Sequence, residues 1–237
     1  MSAAVAAPIL PRDVIARTLA TYRDELRPLL SISAAVFVPL GVLGFALSGQ
    51  GAGALALSTL LNLTGMFLVQ GAIVWVVERM RADAGHAPAL GDTLRASREW
   101  FRRLAVASLL AAVSVMAGLL LLIVPGLVLL TWWVVLPAVI VIEGSTVRGG
   151  FARSRALVSG RAFPVFQIAV ITMLIQLAFS LALRFGMLPL GTLATDLVGP
   201  TLGNTLAAPL IAVAWTLTYF DLRDLRGPPP AASPADP

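Results

Sequence analysis

Arginine is the residue of this chain best equipped for chemistry: all 17 of its basic residues are arginine, and none is lysine. A guanidinium offers paired N–H donors that fit a phosphate or a carboxylate. Arg23, Arg98 and Arg155 occupy matching places in three short amphipathic segments, and Arg148 is nearly aligned with Arg155. These four are the candidate contacts for lipid phosphates or for a protein partner. Their simpler role is to anchor the segments and orient the chain. Glu143, just before Gly144, is the acid placed to answer them, and a salt bridge to Arg155, or to Arg148, is the expected pairing.

The other polar candidates are amides. Asn62, Gln70, Gln176 and Asn204 fall within long apolar stretches. They can line a polar path through a membrane, although such residues more often hydrogen-bond between helices. Intramembrane catalysis and ion-coupled transport usually need ionisable groups inside the spans. Here Glu78, Glu143 and Arg184 sit only at span ends, which leaves a passive pore open. Cysteine is absent, which removes thiol chemistry and cysteine-ligated metal. The single histidine, His86, has no partner for a metal. The stretch Gly49-Gln50-Gly51-Ala52-Gly53 lacks the lysine of a phosphate loop and reads as a turn. No enzyme activity, cofactor or metal is expected.

The elements that carry these residues are membrane helices. Hydrophobic residues make up 58% of the chain and charged ones 12%, with a mean hydropathy of +0.90. Typical soluble domains carry roughly twice that charge. Six stretches approach the length needed to cross the hydrocarbon, at about 30–48, 54–77, 104–124, 127–142, 165–183 and 198–220. All the arginines but Arg184 lie before the first, in alternate gaps, or after the last. Because arginine-bearing loops stay cytoplasmic, both termini are expected inside a bacterial plasma membrane. The same reading explains the high isoelectric point without nucleic acid. The start of the chain lacks the order of a cleavable signal. Residues 1–11 are expected to be flexible, 12–226 to form one membrane domain, and the proline-rich 227–237 to be disordered.

The third and fourth stretches form one apolar run broken by Pro125-Gly126. A tight hairpin with its tip there is expected; the alternative is a re-entrant pair that does not fully cross. Pro39, Pro137 and Pro209 should kink their helices. Small residues four apart, such as Ser114 with Gly118 and Gly199 with Gly203, allow close helix approach.

Each arginine-rich lead-in carries an apolar stripe at helical spacing. The stripes are Ile15, Leu19, Tyr22, Leu26 and Leu29; Leu90, Leu94, Phe101 and Leu104; and Val147, Phe151 and Val158. The segments align with one another, Thr18-Leu19 on Thr93-Leu94 and on Gly150-Phe151. The expected fold is therefore all-α: a polytopic membrane protein with six spans in three hairpins, each preceded by an amphipathic interfacial helix. A threefold repeat is the stronger form of that expectation.

Several motifs resemble a bacterial family of six-helix proteins similar to the membrane domain of glycerophosphoryl diester phosphodiesterases. They are Val124-Pro125-Gly126, Trp132-Trp133, Leu136-Pro137, Val141-Ile142-Glu143-Gly144, the run from Phe151 to Arg161, and Tyr219-Phe220-Asp221-Leu222-Arg223. The resemblance implies a six-helix membrane protein of largely unknown role. It does not carry the phosphodiesterase activity, which in that family belongs to a separate soluble barrel. The functional expectation is a non-enzymatic scaffold or accessory protein that meets anionic lipid head groups, a membrane-protein partner or a second copy through its arginine-rich helices. The alternative is a transporter or channel for a small or lipidic solute.

Overall fold

The computed structural model describes residues 9–82 and 88–226. The expectations for residues 1–8, His86 and the 227–237 tail lie outside the described residues. Residues 9–11 already belong to the fold: Ile9 is buried and Pro11 opens the first helix.

Every element among the described residues is helical. They are α1 (Pro11–Asp24), α2 (Leu26–Leu47), α3 (Ala52–Ala82), α4 (Leu90–Leu121), α5 (Ile123–Trp133), α6 (Leu136–Ile142), α7 (Val147–Val158), α8 (Ala162–Met187) and α9 (Gly199–Arg226). A 3₁₀ turn at Leu188–Leu190 and a π-helical turn at Ala194–Val198 lead from α8 into α9. Five segments are long and apolar enough to cross a membrane: Leu26–Leu47, Ala52–Ala82, Val124–Ile142, Ala162–Leu190 and Ala194–Arg226. Such a set fits a multi-pass membrane protein.

Helices α3 and α9 form the centre. α9 packs against α8, α3, α2 and α1, and α3 packs against α2, α4 and α6. Only 22% of the apolar window is buried in α2 and in α8, so most of their surface is left for lipid. Between α2 and α3, Gly49 and Gly51 both adopt positive φ, 79° and 97°. Glycine takes that conformation without steric cost, so the glycine-rich stretch is a turn.

The break after α4 differs from expectation. The chain turns at Leu122, which is extended, and not at Pro125-Gly126. Pro125 instead sits in the first turn of α5, where a missing N–H leaves no gap in the helix ladder. Gly126 lies where α5 crosses α4: a Cβ on Gly118 would stand 3.0 Å from the Gly126 Cα.

Helices α5 and α6 are one apolar segment broken at Val134–Val135, just before Pro137. Carbonyls freed near such a break need donors, because lipid supplies none. Ser154 Oγ donates to the Trp132 carbonyl at 2.6 Å, and Gln70 Nε2 donates to the Val134 carbonyl at 3.2 Å. The outer side of α5 also has an unexpected neighbour. Val124, Leu127 and Val128 share a groove with Ala162, Phe163 and Phe166, the first turns of α8. α8 starts directly after Arg161, so the beginning of α5 lies at the arginine-rich end of α8 and not at its far end near Met187.

The lead-ins differ from expectation in two ways. The second is not a separate helix: α4 runs unbroken from Leu90 to Leu121, with no Pro and no positive-φ residue to end its amphipathic part. The packed faces also match the stripes only in part: Leu29, Leu104 and Val158 are buried, and other stripe members are not. In α1 the buried residues are Val14 and Thr18, while Leu19 is 51% exposed. In α4, Thr93, Trp100 and Leu104 are buried, while Leu94 is 50% and Phe101 49% exposed. In α7 the buried set is Gly150, Ser154, Leu157 and Val158.

Candidate functional site

Helix α7 is locked onto the broken segment by consecutive side chains. Thr146 caps its start, with Thr146 Oγ1 accepting from the Gly149 N–H at 3.2 Å. The turn before it uses Gly144 at φ 64°, and Arg103 Nη1 donates to the Gly144 carbonyl. Gly150 lies against α6, where a Cβ would come within 3.1 Å of Ile140 Cγ1. Phe151 meets Trp133 edge to face at 4.8 Å between ring centroids.

Glu143, at the end of α6, is the centre of this attachment. Its side chain is only 4% exposed, and Arg153 Nε lies 3.1 Å from Glu143 Oε2. The Tyr219 hydroxyl donates to Glu143 Oε1 at 3.1 Å. One carboxylate therefore ties α6, α7 and α9 together. The partner is Arg153, which corrects the expected Glu143–Arg155 pair. Arg153 stands three residues after Gly150 and four before Leu157, at the edge of the buried face of α7. Arg155 falls elsewhere around the helix, and its guanidinium carbon lies over the Trp132 ring, 4.3 Å from the centroid. That stacking is a cation–π contact.

Helix α1 is pinned to α9 at two points. Arg17 forms a bidentate pair with Asp221, Nη1 to Oδ1 at 3.1 Å and Nη2 to Oδ2. The Tyr22 hydroxyl donates to the Leu206 carbonyl at 2.9 Å, beside the irregularity that Pro209 makes in α9. The two anchor points on α9 are fifteen residues apart, about 22 Å of helix, so α1 is docked on the bundle instead of floating in the head-group layer. The hydrogen bond to Asp221 holds the Arg17 guanidinium above its ordinary pKa, and burial pushes the Tyr22 phenol up. Arg81 and Arg223 stack on Phe220 at 4.1 and 4.9 Å.

These contacts divide the arginines into two groups. Arg17, Arg103 and Arg153 are consumed within the fold. Arg23, Arg98 and Arg148 are exposed, and none has a carboxylate within salt-bridge distance among the described residues. Arg155 is exposed as well, with its guanidinium stacked on the Trp132 indole. The three aligned lead-in positions share their environment: Thr18, Thr93 and Gly150 are buried, and Arg23, Arg98 and Arg155 are exposed. Beside α7 an indentation of about 420 Å³ is lined by Arg148, Arg155, Trp132 and Phe151.

The four amides do not form one path. Gln70 is 4% exposed and engaged with the Val134 carbonyl. Gln176 Nε2 donates to Asn204 Oδ1 at 3.2 Å. Asn62 and Asn204 line a cleft of about 340 Å³ between α2, α3 and α9, together with Thr201 and Asp196.

Sequence reasoning missed Arg153, Ser154, Asp221 and Asp196 as site residues. For Arg153 and Ser154 a signal existed, their three- and four-residue spacing to Gly150 and Leu157. For the Arg17–Asp221 pair, which joins opposite ends of the chain, there was none. No family model, curated protein or solved structure matches this chain.

Proposed function

We propose that this protein is a non-enzymatic integral membrane scaffold or accessory protein that engages anionic lipid head groups through arginine-bearing helices at the cytoplasmic face. In this reading both termini are inside a bacterial plasma membrane, following the placement of arginine in the chain. The observation that carries it is the split between arginines. One set is used to lock α1 and α7 onto the bundle, which leaves Arg23, Arg98, Arg148 and Arg155 exposed on held supports. Each basic residue near an anionic surface is worth about 1 kcal/mol. The test is lipid retention after purification from vesicles of mixed phosphatidylglycerol and phosphatidylcholine. Phosphatidylglycerol should be enriched, less so at high salt, and progressively less as Arg23, Arg98, Arg148 and Arg155 are changed to alanine. Equal retention of the two lipids would overturn the reading.

We infer further that the second hairpin, α4 to α6, dips into the bilayer and returns. What supports this is the neighbourhood of Val124 and Val128 at the start of α8. Reporter fusions at Gly51, Gly191 and Leu122 test the topology. External signal at the first two and none at the third is expected, and external signal at Leu122 would restore six full spans. The six-helix family resemblance stands as a proposal on the same footing. Its motif residues Glu143, Arg153, Ser154, Tyr219 and Asp221 converge on the attachments of α1 and α7, which supports a shared architecture and no shared catalysis.

The cleft around Asn62, Asn204 and Asp196 favours a second reading, passage or binding of a small polar solute. Thr201 Oγ1, Thr205 Oγ1 and Gln176 Oε1 are buried there or nearby without a hydrogen-bond partner among the described residues. Because the chain has no cysteine, Asn62→Cys gives a unique thiol. Labelling by an impermeant maleimide from the outer side only would mark a closed-end binding cleft. Labelling from both sides would support a path.

A further inference from the structure

A second, apolar groove shares Trp132 with the groove beside α7. Trp132 lines both: on one side with Arg148 and Arg155, on the other with Val128, Thr131, Phe163 and Phe166 of α5 and α8. The two spaces are about 420 and 370 Å³. The apolar one is open and its rim is greasy, with Val124 69% and Phe163 70% exposed. In the proposed topology, its place at the start of α8, just past Arg161, is where head groups give way to hydrocarbon.

From these neighbouring grooves, one flanked by arginines and one apolar, we infer a binding site for a single anionic glycerophospholipid. Arg148 and Arg155 hold the phosphate, and one acyl chain lies along α5 against the first turns of α8. The charge fits: the two guanidiniums face no carboxylate among the described residues, and a phosphodiester accepts their N–H donors. The Trp132 ring holds the Arg155 guanidinium by its face, which leaves the N–H edge available for an acceptor. Ser154, hydrogen-bonded to the Trp132 carbonyl, fixes the distance between α7 and α5. The site rests on the proposed lipid-engaging function and localises it: Arg23 and Arg98 lie outside it.

The test uses the full chain in nanodiscs, with bromine on the acyl chains as a contact quencher of tryptophan. Brominated phosphatidylglycerol should quench more than brominated phosphatidylcholine at equal bromine content, and Trp132→Phe should remove most of that excess. Arg148→Ala with Arg155→Ala should weaken the phosphatidylglycerol preference by roughly thirtyfold, about a factor of five for each arginine. Lysine at both positions should restore part of it. Val128→Phe, at a half-exposed position, should exclude the chain and lower the quenching without unfolding. Sodium phosphate should compete no better than sodium chloride of equal ionic strength, because the chain supplies much of the hold. Competition by free phosphate would overturn the acyl part of the site. An excess lost equally in Arg23→Ala with Arg98→Ala would overturn the site and leave the general cytoplasmic-face function standing. The absence of any phosphatidylglycerol preference, in quenching and in retention alike, would overturn both.

Discussion

Removing Arg153 should strand Glu143 as a buried carboxylate, and the structure says how much that costs. The pair is 3.1 Å apart with side-chain exposures of 16% and 4%, so water cannot take over from the lost partner. Breaking such a pair from one side costs about 3–5 kcal/mol. Arg153→Ala should fall in that range, at its upper end because Arg153 takes part in a further contact. Glu143→Gln keeps an acceptor for Tyr219 and should cost somewhat less. Tyr219→Phe removes one hydrogen bond to a charged acceptor, worth about 1.5–3 kcal/mol. The informative variant is the double one, Glu143→Leu with Arg153→Met. It removes both charges and fills the space, so it should lie within about 2 kcal/mol of wild type. With the singles Glu143→Leu and Arg153→Met each costing about 3–5 kcal/mol, the coupling energy from that cycle would be about 4 kcal/mol or more. Reversible unfolding in mixed micelles, followed by tryptophan fluorescence, measures all four proteins. Single variants that each cost under about 1 kcal/mol, or a double variant equal to the sum of the singles, would refute the assignment of the node.

Three other outcomes follow from the same structure. Gln70→Leu should destabilise by about 1–3 kcal/mol, since it leaves the Val134 carbonyl at the α5–α6 break without its donor; the same unfolding assay reads it. Gly118→Val should disrupt the α4–α5 contact and lower the thermal midpoint, because its Cβ would meet Gly126 backbone at 3.0–3.1 Å and backbone cannot move aside as a side chain can. Tyr22 gives a pH effect whose sign is fixed by its raised pKa. The folded phenol titrates above its ordinary 10.0, so its contribution is whole below that pH and is lost as pH rises through the folded value. The unfolding midpoint should therefore fall at alkaline pH, and Tyr22→Phe should flatten that fall.

Much of the architecture is legible in the chain because lipid imposes simple demands. Long uncharged stretches must be helices, and the described residues hold five segments that meet the demand. What was misread has physical causes too. Pro125-Gly126 looks like a turn, yet proline is as well suited to the first turn of a helix as to a loop. The turn fell on Leu122, a residue with no breaking signature. Arg155 and Arg148 read as partners of Glu143 because the third arginine-rich segment begins just after it. The aligned arginines of the three lead-ins are the exposed ones, and a buried ion pair belongs to the packed face, at whose edge Arg153 sits.

The lead-in helices bury Leu29, Leu104 and Leu157 but expose Leu19 and Leu94, so leucine spacing alone is a poor guide here. In water an apolar stripe has only one place to go, the core, so hydrophobic spacing gives the inward face. Beside a bilayer both directions are apolar, and the stripe loses its meaning. What then selects the packed face is how closely backbones can approach and which polar groups can be satisfied inside. Thr18 meets both conditions, since its hydroxyl donates to the Val14 carbonyl of its own helix. Thr93 does the same to the Ala89 carbonyl. Ser154 goes further and donates across to Trp132, satisfying a carbonyl beside the broken segment. Leu19, Leu26 and Leu94 turn outward, and Arg23 and Arg98 beside them are exposed as well. Small hydroxyl residues inside and arginines at the rim are thus two results of one constraint. A third lead-in that replaced Ser154 by leucine would gain hydrophobicity and lose the hydrogen bond to the Trp132 carbonyl that keeps α7 close, with Arg155 over its indole.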